Sequence, residues 1–170
     1  MKTRIFTLIV SLFIATMAFA YDIEIDGIYY NLDNENKTAY VTCKNLNYNS
    51  YSGSIIIPET ITYNNNIYYI TSIGYNAFKN CSSLTSINIP NSVTSIGGYA
   101  FYNCSSLTSI EISNSLTSIE SRAFYGCSSL NEIRFNIDNL EEYINSGINK
   151  FCCDNVSSSA IRKLYKNYIK

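Results

Sequence analysis

The sequence contains no histidine and no tryptophan among its 170 residues, only 2 prolines and 7 glycines, and just 15% charged side chains. Without histidine, Ser-His-Asp and Cys-His nucleophile systems and histidine-ligated zinc are excluded. Twelve basic residues against 13 acidic ones give a formal net charge of −1, so no overall field favours nucleic acid or a membrane surface. Solubility must therefore come from Ser, Asn, Thr and the 16 tyrosines.

Long apolar runs are missing too, with one exception at the start. Lys2 and Arg4 precede a stretch from Ile5 to Phe19 broken only by Thr7, Ser11 and Thr16, and Ala18 and Ala20 stand at the −3 and −1 positions of an A-x-A-like site. This pattern is that of a secretory signal peptide over 1–20, cut after Ala20. The run is short for a membrane span, and the small residues argue against the alternative, an uncleaved anchor. Position 21 is tyrosine, not the cysteine of a lipid-anchored protein. The mature chain would be 170 − 20 = 150 residues, which suits one domain with its own core.

What the sequence does have is repetition. Segments beginning at Ile73, Ile96 and Ile119 align without gaps, at a period of 96 − 73 = 119 − 96 = 23 residues. Identical columns are Ile73/Ile96/Ile119, Ala77/Ala100/Ala123, Phe78/Phe101/Phe124, Cys81/Cys104/Cys127 and Leu84/Leu107/Leu130. Each unit then reads L-x-x-I-x-I, as in Leu84-x-x-Ile87-x-Ile89, and a partial copy places Ile55 and Ile57 before Pro58 as Ile87 and Ile89 stand before Pro90. The final alternation puts two side chains on one face of a short strand. The spacing of Ala77-Phe78 and Cys81 predicts a tight helical turn opposite it. One such unit cannot bury its own apolar face, so the copies are expected to stack into a solenoid with a parallel strand ladder.

Solenoid ends need lids. Asp22–Tyr30 and Thr38–Cys43 alternate like strands around Asp33-Asn34-Glu35-Asn36, which predicts a β-hairpin cap over 21–53. Repeats are expected over 54–136, with a hairpin inserted near 61–70 where Asn64-Asn65-Asn66 separates two strand-like runs. Over 137–170 the pattern changes. Asp138 and Glu141 make a capping box, and Leu140, Tyr143, Ile144 and Ile148 recur at helical spacing, so an α-helical cap is expected. Residues 157–170 fit a helix or a late strand equally.

The phrases AFKNCSSLTSINIPNSVTSIG and AFYNCSSLTSIEI resemble the BspA-type leucine-rich repeats of bacterial surface proteins, closely from Ser54 to Phe135 and more loosely in the opening segment. That resemblance implies a leucine-rich-repeat solenoid and a role in adhesion to host or matrix proteins or to other microbes. It says little about a particular ligand.

Candidate chemistry is sparse. Six cysteines in an exported chain invite disulfides, but Cys81, Cys104 and Cys127 fill a core column whose parallel Cβ vectors give poor bridging geometry. Buried free thiols are the expected reading, ahead of an inter-coil bridge or a metal site. Cys152 and Cys153 are adjacent, and Cys43 lies far from both. The outward strand columns are Ser86, Ser109, Glu132 and Asn88, Glu111, Arg134. These form either a solvated face, with a weak Glu111–Arg134 pair, or the centre of a binding surface. Tyr99, Tyr102 and Tyr125 occupy variable columns on the turn side, where tyrosine offers amphipathic contact at low entropy cost. Arg162, Lys163, Lys166 and Lys170 form a basic end. Asn36, Asn80, Asn103 and Asn155 begin N-x-S/T sequons, and the neighbouring core cysteines are expected to shield Asn80 and Asn103.

These features point to a monomeric, secreted or cell-envelope binding module for an extracellular or host-surface protein or glycan. No catalytic residue, metal or cofactor is expected, nor any nucleic-acid partner, nor a membrane segment once the signal is removed. A spacer protein without a specific ligand is the alternative, and a hydrolase the most remote one.

Overall fold

The computed structural model describes residues 21–46, 48–113 and 115–136, the last five by backbone only. The expected signal peptide (1–20), the expected helical cap (137–170), Cys152, Cys153, Asn155 and the basic end lie outside the described residues.

Strands β1 (Ile23–Ile25), β2 (Ile28–Asp33) and β3 (Thr38–Thr42) form an antiparallel meander at the N-terminal end. Strands β4 (Gly53–Ile56), β5 (Thr60–Tyr63), β6 (Asn66–Ile73), β7 (Leu84–Asn88), β8 (Ser95–Ile96), β9 (Ser109–Ser113), β10 (Ser118–Ile119) and β11 (Glu132–Asn136) follow. They assemble into two sheets. One is the four-stranded ladder β11-β9-β7-β4. The other runs β1-β2-β3-β6-β8-β10, with β5 paired to β6.

The first ladder is parallel and keeps the repeat in register. Ile87 faces Ile110, Ile110 faces Ile133, and Ile55 faces Ile87. Its outer edge, β4, is blunted by a register shift between Gly53 and Ser54 and by Pro58 just beyond it. Both devices discourage pairing with another chain. The second sheet holds another parallel ladder, Ile73–Ile96–Ile119, built from strands of two residues in β8 and β10. Threonine columns fasten the coils: Thr94 N–H donates to Thr71 O at 2.9 Å, Thr117 N–H to Thr94 O at 2.8 Å and Thr108 N–H to Thr85 O at 2.9 Å. The Thr94, Thr117 and Thr108 hydroxyls donate to the same carbonyls.

The stretch between β5 and β6 is a two-residue hairpin. Tyr63 pairs with Asn66, and Asn64 and Asn65 take φ of 47° and 60°. Two successive left-handed residues match the twist of the flanking strands, and asparagine tolerates that region best after glycine. Strand β6 then serves both structures, since its C-terminal half joins β3 and β8 in parallel.

The expected helical turns are not helices, and no helix occurs among the described residues. From Gly74 to Cys81 the chain makes successive short turns. Ala77 N–H donates to Gly74 O, Lys79 N–H to Asn76 O and Cys81 N–H to Phe78 O. The alternate donors leave the coil: Asn76, Phe78 and Asn80 N–H reach Gly98, Ala100 and Tyr102 O at 3.2, 2.7 and 2.7 Å. Tyr99, Phe101 and Asn103 repeat this onto Ser121, Ala123 and Tyr125. A helix would spend every N–H within its own coil. Here left-handed residues at Asn76 and Asn80 (φ 58° each) turn half of them outward, and the coils are stitched together along a third line.

Between the three lines lies the core. Phe78, Phe101 and Phe124 stack with centroids 4.9 and 5.1 Å apart and ring planes within 4°. The column continues through Tyr51, 4.5 Å from Phe78, then Tyr29 and Tyr21. The buried Tyr51 hydroxyl donates to Thr42 O and accepts from Tyr29 N–H, so a polar atom at the end of an apolar column is fully used. Coil spacing also requires glycine at position 97. A Cβ on Gly97 would sit 2.8 Å from Tyr75 N and 3.0 Å from Gly74 C, both backbone atoms that cannot give way.

Candidate functional site

The cysteine column is interior. Cys81, Cys104 and Cys127 are at most 1% exposed and unbridged, and Cys43 is likewise free and buried. The thiols have a structural use. Cys104 Sγ donates to Phe78 O at 2.9 Å, and Cys127 Sγ donates to Phe101 O at 3.0 Å. Each one satisfies a carbonyl of the preceding coil. A hydrogen bond with Cys127, followed by burial, pushes the Cys104 thiol far up, and burial raises Cys81 and Cys43. Neutral, enclosed thiols are poor nucleophiles and poor metal ligands. Among the described residues no cluster of three or more His, Cys, Asp or Glu side chains is placed to hold a metal.

The six outward strand positions come together as two rows. Ser86 faces Ser109, which faces Glu132, while Asn88 faces Glu111, which faces Arg134. Asn88 is exposed, and Ser86, Ser109 and Glu111 are half-buried. The side chains of Glu132 and Arg134 lie outside the described residues, so their rows are defined by backbone register. On the first row Ser86 Oγ donates to Ser54 Oγ at 2.7 Å, adding the partial repeat to the same face.

Beside the second row is a groove of about 300 Å³. Asn88 and Glu111 share it with Ile56, Glu59, Asn91 and Ser113. Ser113 is 3% exposed, and its Oγ has no hydrogen-bond partner among the described residues. Leaving a buried hydroxyl unpaired costs about 1–3 kcal/mol, and this one lines the groove together with Glu59 and Glu111. Sequence reasoning found Asn88 and Glu111 but missed Glu59 and Ser113. Glu59 belongs to the hairpin lead-in, outside the repeat, and Ser113 stands where the first repeat has Pro90.

On the turn side, Tyr99, Tyr102 and Tyr125 form a contiguous set. Tyr102 and Tyr125 stack at 5.2 Å, Tyr99 lies 5.5 Å from Tyr102, and Tyr75 joins at 5.8 Å. Two cations unremarked in the sequence belong to it. Lys79 Nζ sits 4.7 Å above the Tyr48 ring, and Arg122 Nη1 donates to Tyr99 OH at 2.8 Å. Asn80 and Asn103 also face outward here, both exposed. This corrects the expected shielding, because their left-handed backbone (φ 58° each) swings them away from the adjacent cysteines.

Among known proteins, the family described as BspA type leucine rich repeat region matches residues 44–167 in six copies. A leucine-rich cell surface protein of Faecalibacterium prausnitzii is 32% identical, with a TM-score of 0.54 over 66% of this chain and 31% of its own length. A leucine-rich-repeat protein of T. pallidum is 27% identical, with a TM-score of 0.55 over 67% of this chain and 50% of its own. A leucine-rich-repeat protein of Bacteroides capillosus, 22% identical with a TM-score of 0.50, shares the fold over 68% of this chain and 98% of its own. The chain thus spans about a third of the first relative and half of the second. No curated protein matches it. Among the described residues no helix is long and apolar enough to cross a membrane.

Proposed function

Because the chain belongs to the BspA-type leucine-rich-repeat family, we propose that it is an exported binding module, active outside the cell or in its envelope. It engages an extracellular protein or glycan through the outer face of the β4-β7-β9-β11 sheet. In this reading the stack is a solenoid of repeats over 54–136 between a β-rich cap (21–53) and a helical cap (137–170), and residues 1–20 direct export. It is a monomer without catalytic, metal or cofactor site, and adhesion is its physiological role.

The observation that carries this reading is the contrast between inside and outside. The interior Ala, Phe, Cys and Leu columns repeat residue for residue, whereas one outer row changes from Asn88 to Glu111 to Arg134 and opens beside a polar groove holding the Ser113 hydroxyl, unpaired among the described residues. Fold requirements set the first kind of position and leave the second free for recognition. A spacer protein with no ligand is the competing reading.

Capture on immobilised matrix proteins and mucin tests the proposal. Replacing Asn88, Glu111 and Arg134 together by alanine should weaken capture at least tenfold while leaving the melting temperature unchanged. Undiminished capture rejects this face. Failure of the unaltered protein to bind any of the panel favours the spacer.

A further inference from the structure

The turn side carries a second pattern that the strand face does not explain. Two of its columns hold aromatic and cationic side chains: Lys79/Tyr102/Tyr125 in one, and Tyr99 and Arg122 in another, where the first coil has the buried Asn76. The second column has a left-handed backbone, with φ of 58° at Asn76, 56° at Tyr99 and 57° at Arg122. Asparagine is at ease there, whereas tyrosine and arginine are not. Strained positions of this kind are common at ligand sites.

Both cations sit among rings. Lys79 Nζ lies 4.7 Å from the Tyr48 centroid and 5.9 Å from those of Tyr99 and Tyr102. Arg122 lies 5.8 Å from the Tyr99 ring while hydrogen-bonded to its hydroxyl. Neither forms an ion pair with a carboxylate among the described residues. The nearest acid along the chain, Glu120, is tied by Oε2 to Gly98 N–H at 2.8 Å. Among the described residues the ridge therefore presents two positive charges that no carboxylate pairs with directly, set in a rim of phenol hydroxyls, with Glu120 held to one side against Gly98.

The backbone narrows the class of ligand. The outward N–H groups of Asn76, Phe78 and Asn80, and of Tyr99, Phe101 and Asn103, are all bonded to the next coil. These two coils leave no row of main-chain donors for an added peptide strand, so recognition on them must come through side-chain tips. Two cations on a chain of net charge −1 suit a ligand gripped at one or two acidic groups with hydroxyls between them, and not one held by neutralising many phosphates at once.

We propose that this tyrosine and cation ridge is a binding site for an extended acidic polysaccharide, with sugar carboxylates or sulfates on Lys79 and Arg122 and sugar hydroxyls along the tyrosine rim. The site is separate from the strand face and does not depend on it.

The test is surface-immobilised full-length mature protein exposed to polygalacturonate and heparin, with dextran, polyglutamate and duplex DNA as competitors of other chemistry. At least one acidic polysaccharide should bind, its binding should weaken as salt is raised, and dextran should not bind. Lys79→Gln with Arg122→Asn should reduce binding at least tenfold without a lower melting temperature, since asparagine suits the left-handed backbone at position 122. Arg122→Lys restores the charge and should recover part of the loss if the double variant is disturbed. Lys37→Gln, which removes a cation from another ring at 5.5 Å, should change nothing. The proposal is overturned by polyglutamate or DNA binding as tightly as the polysaccharides, by unchanged affinity in the double variant, by an equal loss with Lys37→Gln, or by no binding to either polysaccharide.

Discussion

Phe101 stands in the middle of the ring column, 0% exposed, with Phe78 at 4.9 Å on one side and Phe124 at 5.1 Å on the other. Its truncation to alanine removes a buried ring from a site whose walls are two stitched coils and cannot collapse inward. Buried phenylalanine-to-alanine changes cost about 3–5 kcal/mol, against about 5–15 kcal/mol of total stability for a domain. For a chain of this size about 1 kcal/mol moves the melting temperature by about 2–4 °C, so Phe101→Ala should melt about 6–20 °C lower. Phe101→Leu keeps most of the apolar volume but loses both ring contacts, each worth about 0.5–1.5 kcal/mol, and should lose about 1–3 kcal/mol. A double-mutant cycle pairing Phe78→Leu with Phe101→Leu should show coupling of the size of one ring contact. Urea titration followed by circular dichroism measures all three. A Phe101→Ala cost below about 1 kcal/mol, or additivity in the cycle, would refute the stacked column.

Two further outcomes follow from the polar interior. The raised Cys43, Cys81 and Cys104 thiols, with Tyr30 and Tyr51 raised by burial, stay neutral in the folded state above their ordinary range. Below about pH 8.5 both states keep these protons, and above it the unfolded chain releases them first. Stability should therefore hold up to about that pH and then fall as pH rises, by roughly 1.4 kcal/mol per pH unit for a fully buried thiol such as Cys104; a melting temperature flat from pH 8 to 10.5 contradicts the assignment. Ser113→Ala removes the unpaired buried hydroxyl, so it should stabilise the fold by up to about 1 kcal/mol while weakening any ligand seated in the groove. Calorimetry showing a loss of stability would mean that the hydroxyl is paired after all.

The repeat period, the facing of Ile87 on Ile110, and the interior position of the cysteines were legible in the sequence because identical residues at a fixed interval can only form columns. The second ladder was not: a strand of two residues, Ser95–Ile96, is too short to show alternation. The turns misled for a different reason. Ala77, Phe78 and Cys81 have helical spacing, but the residues that decide the conformation are Asn76 and Asn80, whose left-handed backbone makes no periodic signal. Of the outer face, the two rows could be read from alternation. The groove could not, because the partial repeat is offset by 87 − 55 = 32 residues instead of 23, and only folding brings Glu59 beside Glu111. The pairing of Lys79 with Tyr48 likewise crosses from outside the three aligned repeats into the first of them.

The turn-line hydrogen bonds all point the same way: N–H groups of the coils at Asn76–Asn80 and Tyr99–Asn103 donate toward the coil that follows in sequence. Along this line the earlier coil always supplies the donors and the later one the acceptors, so the described stack has a direction, and one coil can stand in for another only in the same orientation.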